Sequence, residues 1–209
     1  MPDAPMVLLT GFDPFGGASR NPSGEIAVAL DGAAVAGARV RGIVLPTVYD
    51  ASVEVALAEV ERLRPDLVQM LGVAEGRRAV TVERLGINLD DSAAADNRGQ
   101  RRAEQPISPA GPAARFATVP VRAMADAIAA TGVDGAVSTT AGAFVCNHLL
   151  YSVLAALDGS GTRAGFVHVP ALEGTVAADV PAMRLEAMTA AVSAAIAAAV
   201  ADAGWPARA

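Results

Sequence analysis

The sequence contains no lysine, and all 16 of its basic residues are arginines. This absence excludes a Schiff-base lysine, the phosphate-binding lysine of a P-loop and a Ser–Lys catalytic dyad. A single cysteine forms no intrachain disulfide, and with only two histidines it cannot supply the four nitrogen and sulfur ligands of a structural zinc site. We therefore expect no metal ion and no other cofactor.

Clusters of positive charge and long apolar runs are also scarce. The formal net charge is −6, and the arginines are scattered except for Arg77-Arg78 and Arg101-Arg102, which argues against a nucleic-acid partner. The uncharged end of the chain, from Ala187 to Ala201, is shorter than the roughly 20 residues that span a bilayer. The residues before Met6 lack the basic start of a signal peptide. We expect a cytoplasmic protein with no membrane partner.

Short β-branched runs alternate with helical patterns, which predicts an α/β fold with a largely parallel sheet in a single domain over residues 1–209. The predicted strands are Val7–Thr10, which is expected to be buried, and then Arg39–Leu45, Leu67–Leu71, Ala136–Ser138 and Gly165–Val169. Apolar stripes predict helices at Asp50–Leu63, Pro120–Ala130, Asn147–Leu157 and Pro181–Ala203, and a further one that begins near Asn21. For the helix at 50–63, Asp50 is the expected N-cap and Pro65 the stop.

The alternation lapses between Arg77 and Pro120. Residues 80–89 have the pattern of an extended strand or hairpin arm, whereas residues 90–112 are rich in Asp, Ala, Arg, Gly and Pro. A long irregular segment is typical of a lid, an interface or disorder, and composition leaves all three open. Asp90, Asp91 and Asp96 also suggest a divalent-ion site, although their spacing does not match the calcium-binding loop.

Cys146, the only cysteine, lies between a β-prone run and a helix-like segment that starts at Asn147. A thiol in the first turn of a helix feels the positive end of the backbone dipole, which lowers its pKa and favours the thiolate. Such a position suits a nucleophile. The alternative is an inert core thiol, since free cysteine is among the most buried residue types.

A cysteine nucleophile needs a base, and the chain offers His148 and His168. His148 follows Cys146 by two residues on the same helix, so the two side chains point to different sides. His168 ends a strand, and the carboxyl ends of strands in open α/β sheets border the ligand crevice. We therefore predict His168 as the base. Glu83 could orient it or could simply pair with an arginine at the surface, and composition alone favours the surface pair.

The loop after the first strand is rich in glycine and aromatic residues. Phe12 and Phe15 lie in this loop, and Phe144 lies in a similar loop just before Cys146. Rings at strand ends suggest the lining of a pocket, with a hydrophobic plug as the alternative. The loop could also cradle phosphate, but neither a GxGxxG motif nor a P-loop is present.

Together, these segments resemble the pyroglutamyl peptidases, also called pyrrolidone carboxyl peptidases. The matching pieces follow the family order over nearly the whole chain: Thr10–Gly17, Asn21–Ser23, Val82–Arg84 with Ile87–Asn88, Asp96–Asn97, Gly142–His148 and Phe166–Pro170. The resemblance implies a three-layer, phosphorylase/hydrolase-like α/β/α fold, commonly assembled as a homotetramer. It also implies a thiol exopeptidase that removes N-terminal pyroglutamyl residues from peptides through a thioester.

The resemblance assigns the catalytic roles to Cys146, His168 and Glu83. It assigns the pocket for the pyrrolidone ring to Phe12, Phe15, Asn21, Phe144 and Val145, with Val73 beside the substrate.

Two positions depart from the family pattern. Many bacterial members carry a glutamine where this chain has Val73, after Gly72, and an arginine that helps to stabilise the oxyanion where it has Ala93. Two other functions stay open. One is a nucleosidase or phosphorylase on a similar fold that uses the first glycine loop for phosphate, and the other is a non-catalytic relative that keeps the pocket and has lost its rate through Val73 and Ala93.

Overall fold

The computed structural model describes residues 4–202. The helices are α1 (Pro22–Ala29), α2 (Tyr49–Leu63), α3 (Val121–Ala129), α4 (Val145–Ala156) and α5 (Leu185–Ala201). The strands are β1 (Met6–Phe12), β2 (Ala34–Val35), β3 (Ala38–Leu45), β4 (Leu67–Val73), β5 (Val80–Glu83), β6 (Leu85–Ile87), β7 (Asp90–Ser92), β8 (Arg102–Gln105), β9 (Ala114–Phe116), β10 (Gly135–Ser138), β11 (Arg163–Val169), β12 (Ala171–Leu172) and β13 (Ala182–Met183).

Seven strands form the central sheet in the order β10-β5-β11-β4-β1-β3-β2. β1 pairs in parallel with β3 and β4, and β4 pairs in parallel with β11. β5 runs antiparallel to β11 and parallel to β10, while β2 is antiparallel to β3. α1, α3 and α5 cover one face of the sheet, and α2 and α4 cover the other. The predicted three-layer fold with a mostly parallel sheet is confirmed.

Side chains alternate between the two faces of the sheet, as expected for period-two strands. Val7 and Leu9 of β1 join the core under α1, α3 and α5, whereas Leu8 joins the core under α2 and α4. All three are fully buried. Burial on both faces explains why this strand is a continuous apolar run rather than an alternating one.

β1 continues past its predicted end because Gly11 stays in the ladder, opposite Val44 of β3. A Cβ atom at Gly11 would lie 2.0 Å from the carbonyl oxygen of Ser23. The bare backbone therefore lets the start of α1 pack directly on the strand, and the chain reaches Phe12 before it leaves the sheet.

The helix starts differ from their predictions by one to four residues. α4 begins at Val145 rather than Asn147, so Cys146 lies inside its first turn. α2 begins at Tyr49 after Val48, so Asp50 lies in the first turn and its N-cap assignment is wrong; its carboxylate instead pairs with Arg102. The predicted stop at Pro65 is confirmed. α5 begins at residue 185 rather than 181, since residues 182–183 form β13 and pair with β12. The predicted end at residue 203 lies outside the described residues.

The irregular segment folds into antiparallel ribbons packed on the body of the protein. β5 joins the central sheet, β6 pairs with β9, and β7 pairs with β8. The N–H of Asp91 donates to the oxygen of Ala143 at 2.9 Å, and the N–H of Asn97 donates to that of Thr47 at 2.9 Å. The segment is therefore ordered, and the disorder interpretation is wrong. None of the helices within residues 4–202 has the length and apolar character needed to cross a membrane.

Candidate active site

Glu83 and His168 meet across the antiparallel pair formed by β5 and β11. His168 lies opposite Thr81 in the register, and Glu83 lies opposite Phe166. Side chains two residues apart share one face of a strand, so Glu83 and His168 are diagonal neighbours within reach of each other. The distance from His168 Nδ1 to Glu83 Oε1 is 2.8 Å. The structure thus pairs the predicted base with its proposed orienting carboxylate.

Gly72 creates the space in which Cys146 approaches this pair. It is the register partner of His168 on the neighbouring strand β4. A Cβ atom at Gly72 would lie 2.9 Å from Cys146 Sγ and 2.9 Å from the ring of Phe166. The sulfur therefore sits directly over the strand adjacent to His168, on the same side of the sheet. The cysteine and the imidazole share one site.

α4 presents Cys146 at its second residue. The helix follows Phe144 without a side-chain cap, and its first backbone hydrogen bond runs from His148 N–H to Phe144 O at 3.0 Å. The N–H groups of residues 145–147 therefore lack partners of the i−4 type. Asn147 fixes this end of the helix to β6, because its amide exchanges hydrogen bonds of 2.9 Å with the backbone of Ile87.

The Cys146 thiol is neutral in the free protein. Burial and the charge of Glu83 raise its pKa, Arg77 and the backbone N–H of Cys146 lower it, and together they bring it to about 12. The expectation that the helix terminus yields a resting thiolate is wrong, because the loss of hydration beside a carboxylate outweighs the helix dipole.

The imidazole is also neutral in the free protein at neutral pH. Burial lowers the pKa of His168, and the hydrogen bond and charge of Glu83 only partly oppose this. For Glu83, burial raises the pKa, but the contacts to His168, Ser138 and Arg77 together bring it below its usual value. Glu83 is therefore an ionised carboxylate beside a neutral imidazole that can accept a proton.

Arg77 is a site residue that sequence reasoning missed. Its Nη1 donates to Glu83 Oε1 at 2.6 Å, and its Nη2 donates to the oxygen of Thr140 at 2.9 Å. The sequence held only a weak signal, because the burial of Glu83, which demands a cationic or N–H partner, appears only in the fold. The Arg77-Arg78 pair lies only a few residues before Glu83.

A small cavity opens beside the sulfur. Its lining includes Cys146 and six other residues: Phe12, Phe15, Asn21, Thr47, Val73 and Phe144. Its volume is about 10 Å³, which is room for about one water molecule. Two of the lining rings, those of Phe15 and Phe144, have centroids 6.0 Å apart.

Five of the six predicted pocket residues line this cavity, and Thr47 is an additional one. Val145, the sixth, is fully buried in the core under α2 and α4 and is absent from the lining. Asn21 is already engaged: its Oδ1 accepts from Ser23 N–H at 3.1 Å as the cap of α1, and its Nδ2 donates to Asp13 O at 2.9 Å.

His148 belongs to a separate cluster on the other side of Cys146. Its Nδ1 lies 2.8 Å from Asp90 Oδ2, an atom that also accepts from Arg102 Nη1 at 2.9 Å. The carboxylate of Asp96 accepts hydrogen bonds from backbone N–H groups, including that of Gln100 at 2.9 Å. Because these carboxylates serve different partners, the structure does not support the divalent-ion interpretation; residues 4–202 contain no metal-binding group of His, Cys, Asp or Glu.

The first glycine-rich loop does not resemble a phosphate cradle. Its Asp13 carboxylate accepts from the N–H of Thr47 at 2.7 Å and from Asn97 Nδ2 at 3.1 Å. A carboxylate at this place would repel phosphate. Ala93 occupies the second position that departs from the family pattern. Its carbonyl oxygen accepts a hydrogen bond from Arg101 Nε at 3.1 Å.

Comparison with known proteins gives consistent matches. The family model described as pyroglutamyl peptidase matches residues 5–202. The pyrrolidone-carboxylate peptidase of Levilactobacillus brevis is 46% identical over 196 residues, which cover 90% of this chain and 96% of that protein. The Escherichia fergusonii protein of the same name is 44% identical over 88% of this chain and 86% of its own length.

Solved structures agree. Pyroglutamyl peptidase I from Bacillus amyloliquefaciens superposes with a TM-score of 0.92 at 38% identity, covering 95% of this chain and 98% of that one. The pyrrolidone carboxyl peptidase from Thermococcus litoralis gives a TM-score of 0.90 at 33% identity, covering 94% and 93%.

Proposed function

Because the chain belongs to the pyroglutamyl peptidase family, and is thus a cysteine peptidase that removes N-terminal pyroglutamyl residues from peptides, we propose that Cys146, His168 and Glu83 carry out the reaction. The supporting observation is the 2.8 Å contact between His168 Nδ1 and Glu83 Oε1, with the thiol over the adjacent strand. The comparisons give no support to a nucleosidase or to a non-catalytic role.

The proposed reaction starts from the neutral pair. As the sulfur of Cys146 attacks the pyroglutamyl carbonyl carbon, its proton moves to Nε2 of His168. His168 then returns this proton to the departing amine, the C–N bond breaks, and a thioester remains. Water, deprotonated by the same imidazole, hydrolyses the thioester and restores the thiol. Glu83 holds the imidazole by its Nδ1 and stabilises its charged form.

The oxyanion of the tetrahedral intermediate needs hydrogen-bond donors. The N–H groups of Val145 and Cys146 lie in the first turn of α4, before the first intrahelical bond, and the positive end of the helix favours negative charge there. This assigns the role of Val145 to its backbone rather than its side chain.

Recognition falls to the cavity next to Cys146. A pyroglutamyl group has no free α-amino group, so a carboxylate cannot identify it by pairing with an ammonium ion. Apolar walls with a few polar atoms fit the lactam ring, and Phe12, Phe15 and Phe144 provide such walls, with Val73 and Asn21 beside them. Because the free cavity is about 10 Å³, its lining side chains must move apart for the lactam to enter.

The oligomeric state and the cellular location of the protein are not established by the comparisons. By family resemblance, we propose a homotetramer, which light scattering of the purified protein would measure. A cytoplasmic location and the single domain over residues 1–209 stay predictions.

The test is the release of aminocoumarin from a pyroglutamyl-aminocoumarin substrate. Cys146→Ser and His168→Ala should each lower kcat by at least about 10³-fold, and Glu83→Gln should cost less. His148→Gln is the matched control, since the second histidine lies in another cluster; its kcat should stay within about tenfold of wild type. Unchanged turnover in Cys146→Ser would rule out the proposed mechanism.

A further inference from the structure

We infer that Arg77 is a positioning residue for this reaction. It fixes the position of the Glu83 carboxylate relative to His168 and to the loop that leads to Cys146. The inference rests on the proposed roles of these three residues. It adds a fourth member to the site, one that acts through Glu83 and does not touch the substrate.

The contacts of Arg77 join three separate segments of the chain. From the β4–β5 connection, its Nη1 donates to Thr81 Oγ1 and Glu83 Oε1, both at 2.6 Å, within β5. Its Nη2 donates to the carbonyl oxygen of Thr140 at 2.9 Å, in the loop that precedes α4. Glu83 Oε1 therefore accepts from both Arg77 and His168, so a movement of the guanidinium moves the hydrogen bond that orients the imidazole.

Burial makes this contact consequential. The Glu83 side chain is 0% exposed, whereas that of Arg77 is 29% exposed. A carboxylate without water is stable in its charged form only when hydrogen-bonded cations or dipoles surround it. The groups that face Glu83 are Arg77 from the β4–β5 connection, His168 from β11, Ser138 from β10 and Cys146 from α4. Of these, only Arg77 carries a permanent positive charge.

The charge of Arg77 also sets the proton affinity of the catalytic groups. It lowers the pKa of His168 and the pKa of Cys146, in both cases against the negative charge of Glu83. Without Arg77, the imidazole would hold a proton up to a higher pH, and a protonated imidazole cannot accept the thiol proton. The acid limb of the pH profile of kcat/KM should then move to higher pH.

An ammonium group cannot replace the guanidinium fully. Arg77 uses two nitrogens of a rigid fork, one for Glu83 and one for Thr140, and a lysine offers one nitrogen on a flexible stem. Arg77→Lys keeps the positive charge and removes the fork, so it separates the effect of charge from that of geometry.

The experiment measures kcat, KM and the pH profile for Arg77→Met, Arg77→Lys and Arg78→Met, with melting temperatures for each. In Arg77→Met, we expect kcat to fall about 10- to 100-fold with KM within about threefold of wild type, and the acid limb to rise by about one pH unit. Arg77→Lys should keep the wild-type limb but lose several-fold in kcat. The exposed neighbour Arg78 is the matched control, and Arg78→Met should have the kcat and the acid limb of wild type.

Two results would overturn the inference: a wild-type kcat and acid limb in Arg77→Met, or a lower melting temperature as its only effect. If Arg77→Met does not fold, Arg77→Lys decides, since a wild-type kcat there removes the geometric role. Cys146→Ser, assayed in parallel, separates the two claims. Should it keep turnover, the proposed function fails; should it lose turnover while both Arg77 variants keep it, the role of Arg77 alone fails.

Discussion

Adding a single methyl group at Gly72 tests whether the nucleophile is held where the structure places it. The new Cβ atom in Gly72→Ala would lie 2.9 Å from Cys146 Sγ and 2.9–3.0 Å from the ring of Phe166, whereas ordinary contacts are 3.4–4 Å. The sulfur, the ring or the strand must therefore move by about 0.5–1 Å, and a misplacement of this size can cost up to about 10²-fold in rate.

The stability cost should be moderate. Over-packing of a core typically costs about 1–3 kcal/mol, and for a chain of this length that lowers the melting temperature by about 2–12 °C. We therefore expect Gly72→Ala to fold and bind, with kcat reduced about 10- to 100-fold through the displaced thiol.

The assay combines turnover of a pyroglutamyl-aminocoumarin with thermal unfolding. Gly165→Ala is the matched control, because its Cβ atom would lie 2.4 Å from the side chain of Val119 and away from the sulfur. This variant should lose comparable stability but retain most of its kcat. Wild-type kcat in Gly72→Ala, or equal losses of kcat in the two variants, would refute the placement of Cys146 over Gly72.

Two further predictions follow from the site and its surroundings. Since burial raises the pKa of Cys146 to about 12, its alkylation by iodoacetamide, read at the only thiol of the chain, should be slow at pH 7 and still rising above pH 9; a plateau below pH 7 would instead indicate a resting thiolate. Asp90→Asn should destabilise the protein by about 3 kcal/mol, because it leaves Arg102 and His148 without a buried carboxylate. Asp50→Asn, at a carboxylate that is 64% exposed, should cost less than about 1 kcal/mol; equal melting temperatures would contradict this view of the cluster.

The chemistry-bearing residues were predictable because the chain offers so few candidates. One cysteine, two histidines and no lysine left little choice for nucleophile and base, and strand-end positions favoured His168 over His148. The α/β layers were also predictable, because continuous apolar strands and amphipathic helices follow from local periodicity.

The partners within the site were not predictable from the sequence. The roles of Arg77 and Thr47 depend on contacts between segments far apart in the chain, and a local pattern does not reveal such contacts. The ribbons of residues 85–116 were unpredictable for the same reason. β6 and β9 are three residues each and pair with each other across a long stretch of chain, and an isolated two-stranded pair is marginally stable at best.

By itself, the sequence determined which side chains could act: a lone thiol, two imidazoles and rings beside glycine-rich turns. Only the tertiary structure decided their protonation and alignment, because both depend on distance and burial. The antiparallel pairing of β5 with β11 brings Glu83 to His168, and Gly72 leaves the space for Cys146. Local sequence predicted a thiolate at a helix terminus, but burial beside a carboxylate keeps the thiol protonated.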